Sequence, residues 1–131
     1  MKRNFIGYGK EKPKILWPQE NKIAVSFVVN IEEGAELSIS SGDSQNEHVY
    51  ENNKIEILDI PDLCMESHFE YGLRSGIWRI FDVFDKYNVK ATFSCCSLAL
   101  ENSPWLIDEI LNRNHEISAH SVKWISHAYL D

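Results

Sequence analysis

Apolar positions in this chain recur with two different periods. Between Lys22 and Val29, Ile23, Val25, Phe27, Val28 and Val29 make an almost continuous β-branched and aromatic run. That is the pattern of a strand buried on both faces, as in parallel sheets. Similar runs end at Cys96 and Ala119, so strands are predicted near residues 22–30, 90–96 and 116–119. Between the first two, Ile77, Trp78, Ile80, Phe81, Phe84 and Tyr87 fall close to i, i+3, i+4, i+7 spacing. This predicts an amphipathic helix over residues 74–87, laid on the sheet through Trp78, Phe81 and Phe84 and stopped at Asn88. Ser103-Pro104 reads as an N-cap followed by a first-turn proline, opening a helix through Asn112 with Trp105, Leu106, Ile107, Ile110 and Leu111 on its apolar side. Strand, helix, strand, helix, strand is an α/β order, with about three parallel strands joined by crossover helices.

The rest of the chain is aperiodic. Residues 1–21 hold Gly7, Gly9, Pro13 and Pro18 and read as an extended arm, packed because Phe5, Ile6, Tyr8 and Trp17 are too apolar for a free tail. Residues 35–57 form a polar loop too long for an ordinary connection, hence mobile or part of a site. A length of 131 residues suits one domain, whereas a complete α/β barrel needs about 200 or more. With 44% hydrophobic and 25% charged residues the composition is that of a soluble globular protein. No apolar run approaches the roughly 18 residues of a membrane span, and the N-terminus lacks the core of a signal peptide, so a membrane role is excluded and the cytoplasm is the default compartment. A net charge of -7 argues against nucleic acid, whose binding rests on clustered Lys and Arg. Cys64, Cys95 and Cys96 are odd in number and read as reduced thiols in or beside the core.

Chemistry concentrates at two strand exits. The first strand empties into Glu32 and Glu33, and the third ends at His120. Carboxyl ends of neighbouring parallel strands share one crevice, so these side chains can converge on a small ligand. Opening an amide needs a base to deprotonate water, a donor for the developing oxyanion and an acid for the leaving nitrogen. Adjacent carboxylates after a strand point in different directions, so at most one faces the substrate as base while the other orients or binds; Glu32 is taken as the base, with Glu33 and His120 holding substrate or water. The bland alternative is a pair of solvated glutamates. Tyr71 and Arg74 precede the long helix, where an arginine fork suits a carboxylate or ureide carbonyl, or pairs with Glu66 or Glu70. His48, His68 and His115 read as structural, and His127 as a candidate replacement ligand.

The segments Arg3-Asn-Phe-Ile-Gly-Tyr-Gly9, Trp17-Pro18, Asn30-Ile-Glu-Glu-Gly34, Met65-Glu66, Glu70-Tyr-Gly-Leu-Arg-Ser-Gly-Ile-Trp-Arg79, Ala91-Thr-Phe93 and Glu116-Ile-Ser-Ala-His-Ser-Val-Lys-Trp124 together carry a family likeness. The chain resembles the polysaccharide deacetylase (NodB-like) superfamily, and more closely its allantoinase-like branch. The resemblance implies a deformed β/α barrel that hydrolyses C–N bonds other than peptide bonds, in N-acetyl groups of sugars or the cyclic amide of allantoin. It also implies that Glu32 stands at the general-base carboxylate, Glu33 at the carboxylate that binds metal in metal-dependent members, and His120 at the first histidine of the second motif. Metal-dependent members carry a second histidine where this chain has Trp124, and aspartates where it has longer glutamates. A catalytic zinc normally holds three protein ligands, so no metal and no cofactor are expected here, and Trp124 joins Tyr71 and Arg74 as a substrate contact.

The families resembled are about twice this length. The expectation is therefore a single truncated domain, the N-terminal part of a barrel, with activity impaired or dependent on a second chain that completes the barrel, or else an inactive fragment. Three strands alone would leave an open sheet edge and apolar surface, which also predicts self-association.

Overall fold

The computed structural model of the chain describes residues 2–47 and 59–130. Three strands, β1 (Val28–Ile31), β2 (Thr92–Cys95) and β3 (Glu116–Ala119), form one sheet in the order β1-β2-β3. Both pairings are parallel, with Ile31 level with Cys95 and Cys95 level with Ala119. β3 has the predicted bounds and β2 falls inside the predicted span.

β1 is much shorter than the apolar run that suggested it. Residues 22–27 lie outside the strand, and Ile23 is 75% exposed. A strand needs a neighbour to complete its hydrogen bonds; pairing starts at Val28 opposite Thr92, one bond earlier than which Thr92 N still donates to Phe27 O at 3.0 Å. Nor is the sheet buried on both faces, as predicted. Successive side chains alternate across a strand: Ile31, Phe93 and Cys95 enter the core, whereas Val28 and Asn30 on the opposite pleat are exposed. The N-terminal arm is not packed either. Phe5, Ile6 and Tyr8 face solvent and Leu16 is 96% exposed, because no element in the described structure lies over them.

The long helix begins earlier than its apolar periodicity suggested. α1 (Leu63–Tyr71) opens on Asp62, whose Oδ1 accepts from Met65 N at 3.0 Å. It runs through a π-helical turn at Gly72–Gly76 directly into α2 (Ile77–Tyr87). Asn88 closes α2 in the left-handed conformation, φ 49°, as predicted. Ile77 and Phe81 are fully buried against the sheet and Phe84 packs beside them. Trp78 is not buried as predicted: it is 40% exposed and stacks on Trp105 at 5.2 Å. A short helix absent from the prediction, α3 (Ser97–Asn102), precedes α4 (Trp105–Asn112), of which Leu106 and Ile110 reach the core and Leu111 does not.

His115 is a core residue. Its ring lies among Phe81, Phe84 and Phe93, and Nδ1 accepts from Ala91 N at 3.2 Å, which ties the start of β3 to the start of β2. Burial, helped by the Lys90 and Arg113 charges, holds its pKa below the ordinary histidine value, so the ring is neutral in the fold.

The described part of the polar loop is ordered. Ser38 and Asn46 are buried; Asn46 Nδ2 donates to Ile60 O at 2.8 Å, and Ser38 Oγ donates to Glu66 Oε1 at 2.9 Å. Burial raises the Asp43 carboxyl, but the Lys123 ammonium and the Ser38 N–H, which donates to Asp43 Oδ2 at 2.8 Å, together outweigh it and hold the carboxyl below its ordinary value. Residues 48–57 of the predicted loop, with His48, lie outside the described residues.

Candidate functional site

Because Ile31, Cys95 and Ala119 are level, the residues that follow them, Glu32, Cys96 and His120, leave the sheet together. Cys96 N donates to Ile31 O at 2.9 Å and His120 N donates to Cys95 O at 2.8 Å, so the ladder continues to the exit. Glu32 and His120 stand on the same pleat as Asn30, Ser94 and Ser118, the face away from the helices, whereas Cys96 is fully buried in the core where α3 begins.

Glu32 and His120 meet there. His120 Nε2 lies 3.0 Å from Glu32 Oε1, and on the other side of the ring Nδ1 lies 3.2 Å from Ser94 Oγ. An ionised carboxylate only accepts hydrogen bonds, so Nε2 carries the proton and, in the neutral ring, Nδ1 accepts from the Ser94 hydroxyl. The three side chains form a line of acceptor, two-sided ring and hydroxyl, half-shielded from solvent.

The backbone beyond His120 is pinned by α3. Ser97 N and Leu98 N, first-turn donors without helical partners, bond the carbonyls of Ser121 and Val122, each at 3.1 Å. Ser121 itself has φ 72°, an unusual conformation for a residue with a side chain. Trp124, half-buried, packs against the core and donates its backbone N–H to Ala35 O at 3.0 Å. Ala119, His120, Ser121, Lys123, Trp124, Ile125 and His127 line a cavity of about 360 Å³. His127 is exposed on its rim, with Nε2 at 3.2 Å from Ser121 Oγ.

Glu33 goes elsewhere. Its Oε2 accepts from Glu32 N at 3.2 Å, and its carboxylate rests against Gly72 in the π-helical turn. There it faces a second cavity, about 510 Å³, lined also by Ser67, His68, Phe69 and Tyr71. Burial pushes its pKa above the ordinary glutamate value, more than its backbone hydrogen bonds lower it.

The structure thus brings Glu32 and His120 into contact and sets Glu33 and Tyr71 around a neighbouring cavity. Arg74 stands apart from both cavities, 77% exposed and paired with Glu70. The Tyr71 hydroxyl accepts from Arg79 Nη1 at 2.6 Å.

Cysteine chemistry is disfavoured at the strand ends. Burial, with Cys96 beside it, pushes the Cys95 thiol up to about 11, and burial and the Glu32 carboxylate raise Cys96 as well. Both thiols stay protonated near neutrality, and Cys96 Sγ donates to His120 O at 3.1 Å. Cys64 is exposed on α1, not beside the core as predicted.

A catalytic metal needs three protein donors converging on one point. Among the described residues no group of three or more His, Cys, Asp and Glu side chains is so arranged. Glu32 and His120 are turned to each other and Glu33 to the far cavity, so this donor set does not fit a metal ion.

Two members of the arrangement are not singled out individually by the sequence pattern. Ser94 is a hydroxyl inside a strand, recognisable only once its register places it two residues below His120's level. Gly72 gains its meaning from a contact with Glu33. Among the described residues no helix is long and apolar enough to cross a membrane.

A family model for polysaccharide deacetylase matches residues 61–131. The chain is 38% identical over 114 residues to the Schizosaccharomyces pombe protein named "Putative polysaccharide deacetylase", covering 85% of this chain and 36% of that protein. It matches the crystal structure of Puue allantoinase with a TM-score of 0.91 and 34% identity, over 100% of this chain and 44% of that one. The structure of the "probable Polysaccharide deacetylase" from Pseudomonas aeruginosa PAO1 matches with a TM-score of 0.91 and 36% identity, again over 100% and 44%. The chain spans less than half the length of each of these proteins, and its three parallel strands are part of a β/α barrel.

Proposed function

The chain belongs to the polysaccharide deacetylase family, and we propose from this that its strand ends form part of a site that hydrolyses a C–N bond other than a peptide bond, in an N-acetylated sugar or a cyclic amide, with Glu32 as the base. The contact between Glu32 Oε1 and His120 Nε2 at 3.0 Å carries the reading. It joins a carboxylate and an imidazole from the two outer strands at the end of the sheet where ligands bind in such folds. In this reading Glu32 takes a proton from water as the water oxygen attacks the carbonyl carbon. His120, held in one tautomer by Ser94 and Glu32, fixes the carboxylate and the water. Tyr71 and Trp124 line the cavities on either side and contact the substrate, Glu33 supplies a further acceptor, and Arg74 is left to its surface pairing with Glu70.

A donor for the oxyanion and an acid for the leaving nitrogen are still required. Lys123 lines the His120 cavity, but its ammonium is bound to Asp43. We assign both roles to the remainder of the barrel, in the same polypeptide or in a second chain. Loss of an oxyanion donor costs about 10² to 10³ in rate and of a general acid about 10² to 10⁴, against a typical turnover of about 10 per second. The 131-residue chain alone is therefore expected to hydrolyse allantoin and N-acetylated sugars far more slowly than about 1 per second. Glu32→Gln should remove most of whatever turnover remains. Turnover that Glu32→Gln leaves unchanged would overturn the role of Glu32, and fast turnover that it abolishes would show that three strands suffice.

A second reading, a self-associating chain without catalysis of its own, is favoured by the exposed apolar residues of the arm. The buried free thiols Cys95 and Cys96 suit a reducing compartment, which supports a cytoplasmic setting for either reading.

A further inference from the structure

The π-helical turn between α1 and α2 contains two glycines, and neither uses glycine's conformational freedom. Gly72 has φ -53° and ψ -58°, and Gly76 φ -60° and ψ -45°, ordinary right-handed helical values. Glycine inside a helix is less stable than alanine, so its use here asks for a contact that a side chain would forbid. Only one of the two positions has such a contact. A β-carbon on Gly76 would find its nearest neighbour, Tyr71 Cε1, at 3.4 Å, an ordinary packing distance. On Gly72 it would lie 1.7 Å from Glu33 Oε1 and 2.5 Å from Glu33 Cδ, inside the space the carboxylate occupies.

The widened turn supplies this bare stretch of backbone. Ile77 N donates to Gly72 O, the i to i+5 bond that defines a π-turn, at the residue that Glu33 touches. Among the described residues no lysine or arginine pairs with Glu33; it accepts from Glu32 N and otherwise faces the cavity with His68, Phe69 and Tyr71.

We propose that Gly72 is a positioning residue for Glu33. The missing side chain lets the carboxylate seat against the helix, apart from the Glu32–His120 pair, as an acceptor in the cavity wall. An ionised carboxylate only accepts, so this cavity takes the N–H or O–H donors of a ligand. That last step rests on the reading of Glu33 as a ligand-holding group, whereas the positioning does not.

The test compares Gly72→Ala with Gly76→Ala in the whole chain, using ¹³C-carboxyl NMR titration of Glu33, assigned with Glu33→Gln, together with thermal melts. Both variants gain helix propensity equally. Gly76→Ala is expected to leave the Glu33 midpoint at its wild-type value. Gly72→Ala pushes the carboxylate into water, so the midpoint should fall into the ordinary glutamate range while the fold is kept, because the obstructing atom is the far end of a flexible side chain. In a Glu33→Ala background the clash is gone, and Gly72→Ala should raise the melting temperature as Gly76→Ala does. A Glu33 midpoint unchanged by Gly72→Ala, or a Gly72→Ala chain that fails to fold even with alanine at 33, would overturn the proposal. Neither measurement uses a substrate, so absence of hydrolysis would count against the proposed reaction and leave this inference standing.

Discussion

Glu32 and Glu33 are neighbours in the chain with opposite surroundings: one carboxylate meets an imidazole, the other a helix backbone. The second arrangement has a cost that depends on pH. Folded, Glu33 keeps its proton to a higher pH than it does in the unfolded chain, because burial raises its pKa. As pH rises from the ordinary glutamate value through the raised one, the unfolded chain gives up the proton first and the native state loses stability. Above that window the cost is fully present, and below about pH 4 it is gone. Glu33→Gln retains a carbonyl acceptor for the Glu32 N–H and removes the charge. It is expected to be more stable than wild type in urea unfolding at pH 7 and to lose that advantage at pH values below the ordinary glutamate range. A variant no more stable than wild type at pH 7 would mean that the carboxylate is not desolvated as described.

Between Leu63 and Tyr87 the chain makes one long helical rod whose two halves are held by different forces. α2 was legible because Ile77, Phe81 and Phe84 recur on one face and that face is the one buried. α1 was not, because none of its residues is fully buried; its start depends on the Asp62 cap and its course on continuity with α2. The apolar run at residues 22–29 misled for the converse reason. β propensity marks residues that suit a sheet, but only those with a strand beside them join one. That Glu32 and His120 share one crevice could be expected from parallel strand order, whereas their contact depends on the strands ending level, Ile31 with Cys95 and Cys95 with Ala119. The Ser94 and Gly72 contacts required the register and the π-turn, which apolar patterning does not encode. The rod offers a direct test of its packing. Phe81 is fully buried against Phe93 and His115, so Phe81→Ala is expected to cost about 3 to 5 kcal/mol by denaturant unfolding. Trp78→Ala, which gives up chiefly a half-exposed stack on Trp105, should cost less than Phe81→Ala despite removing a larger side chain. A loss below about 1 kcal/mol for Phe81→Ala would take α2 off the core.

At the scale of the whole molecule, apolar area lies uncovered among the described residues: Phe5, Ile6, Tyr8, Ile15, Leu16, Ile23 and Val25 are all exposed on the segment before β1. Beside it the sheet presents the pleat of Val28, Asn30 and Ser94 uncovered by helices. Apolar area costs about 25 cal/mol per Å² in water, so covering even part of it favours association. A stable interface needs roughly 1,200 Å² in total from both partners, well within what two copies can contribute. The chain is therefore expected to sediment at micromolar concentration as a dimer or larger species. Replacing Leu16 and Ile23 by serine should shift it toward monomer if the arm forms the contact. A wild-type chain sedimenting only as a 15.2 kDa species would contradict self-association. One account of such a monomer is an arm that folds over the open sheet edge within one molecule, and the two serine substitutions would then destabilise the fold instead of changing its assembly.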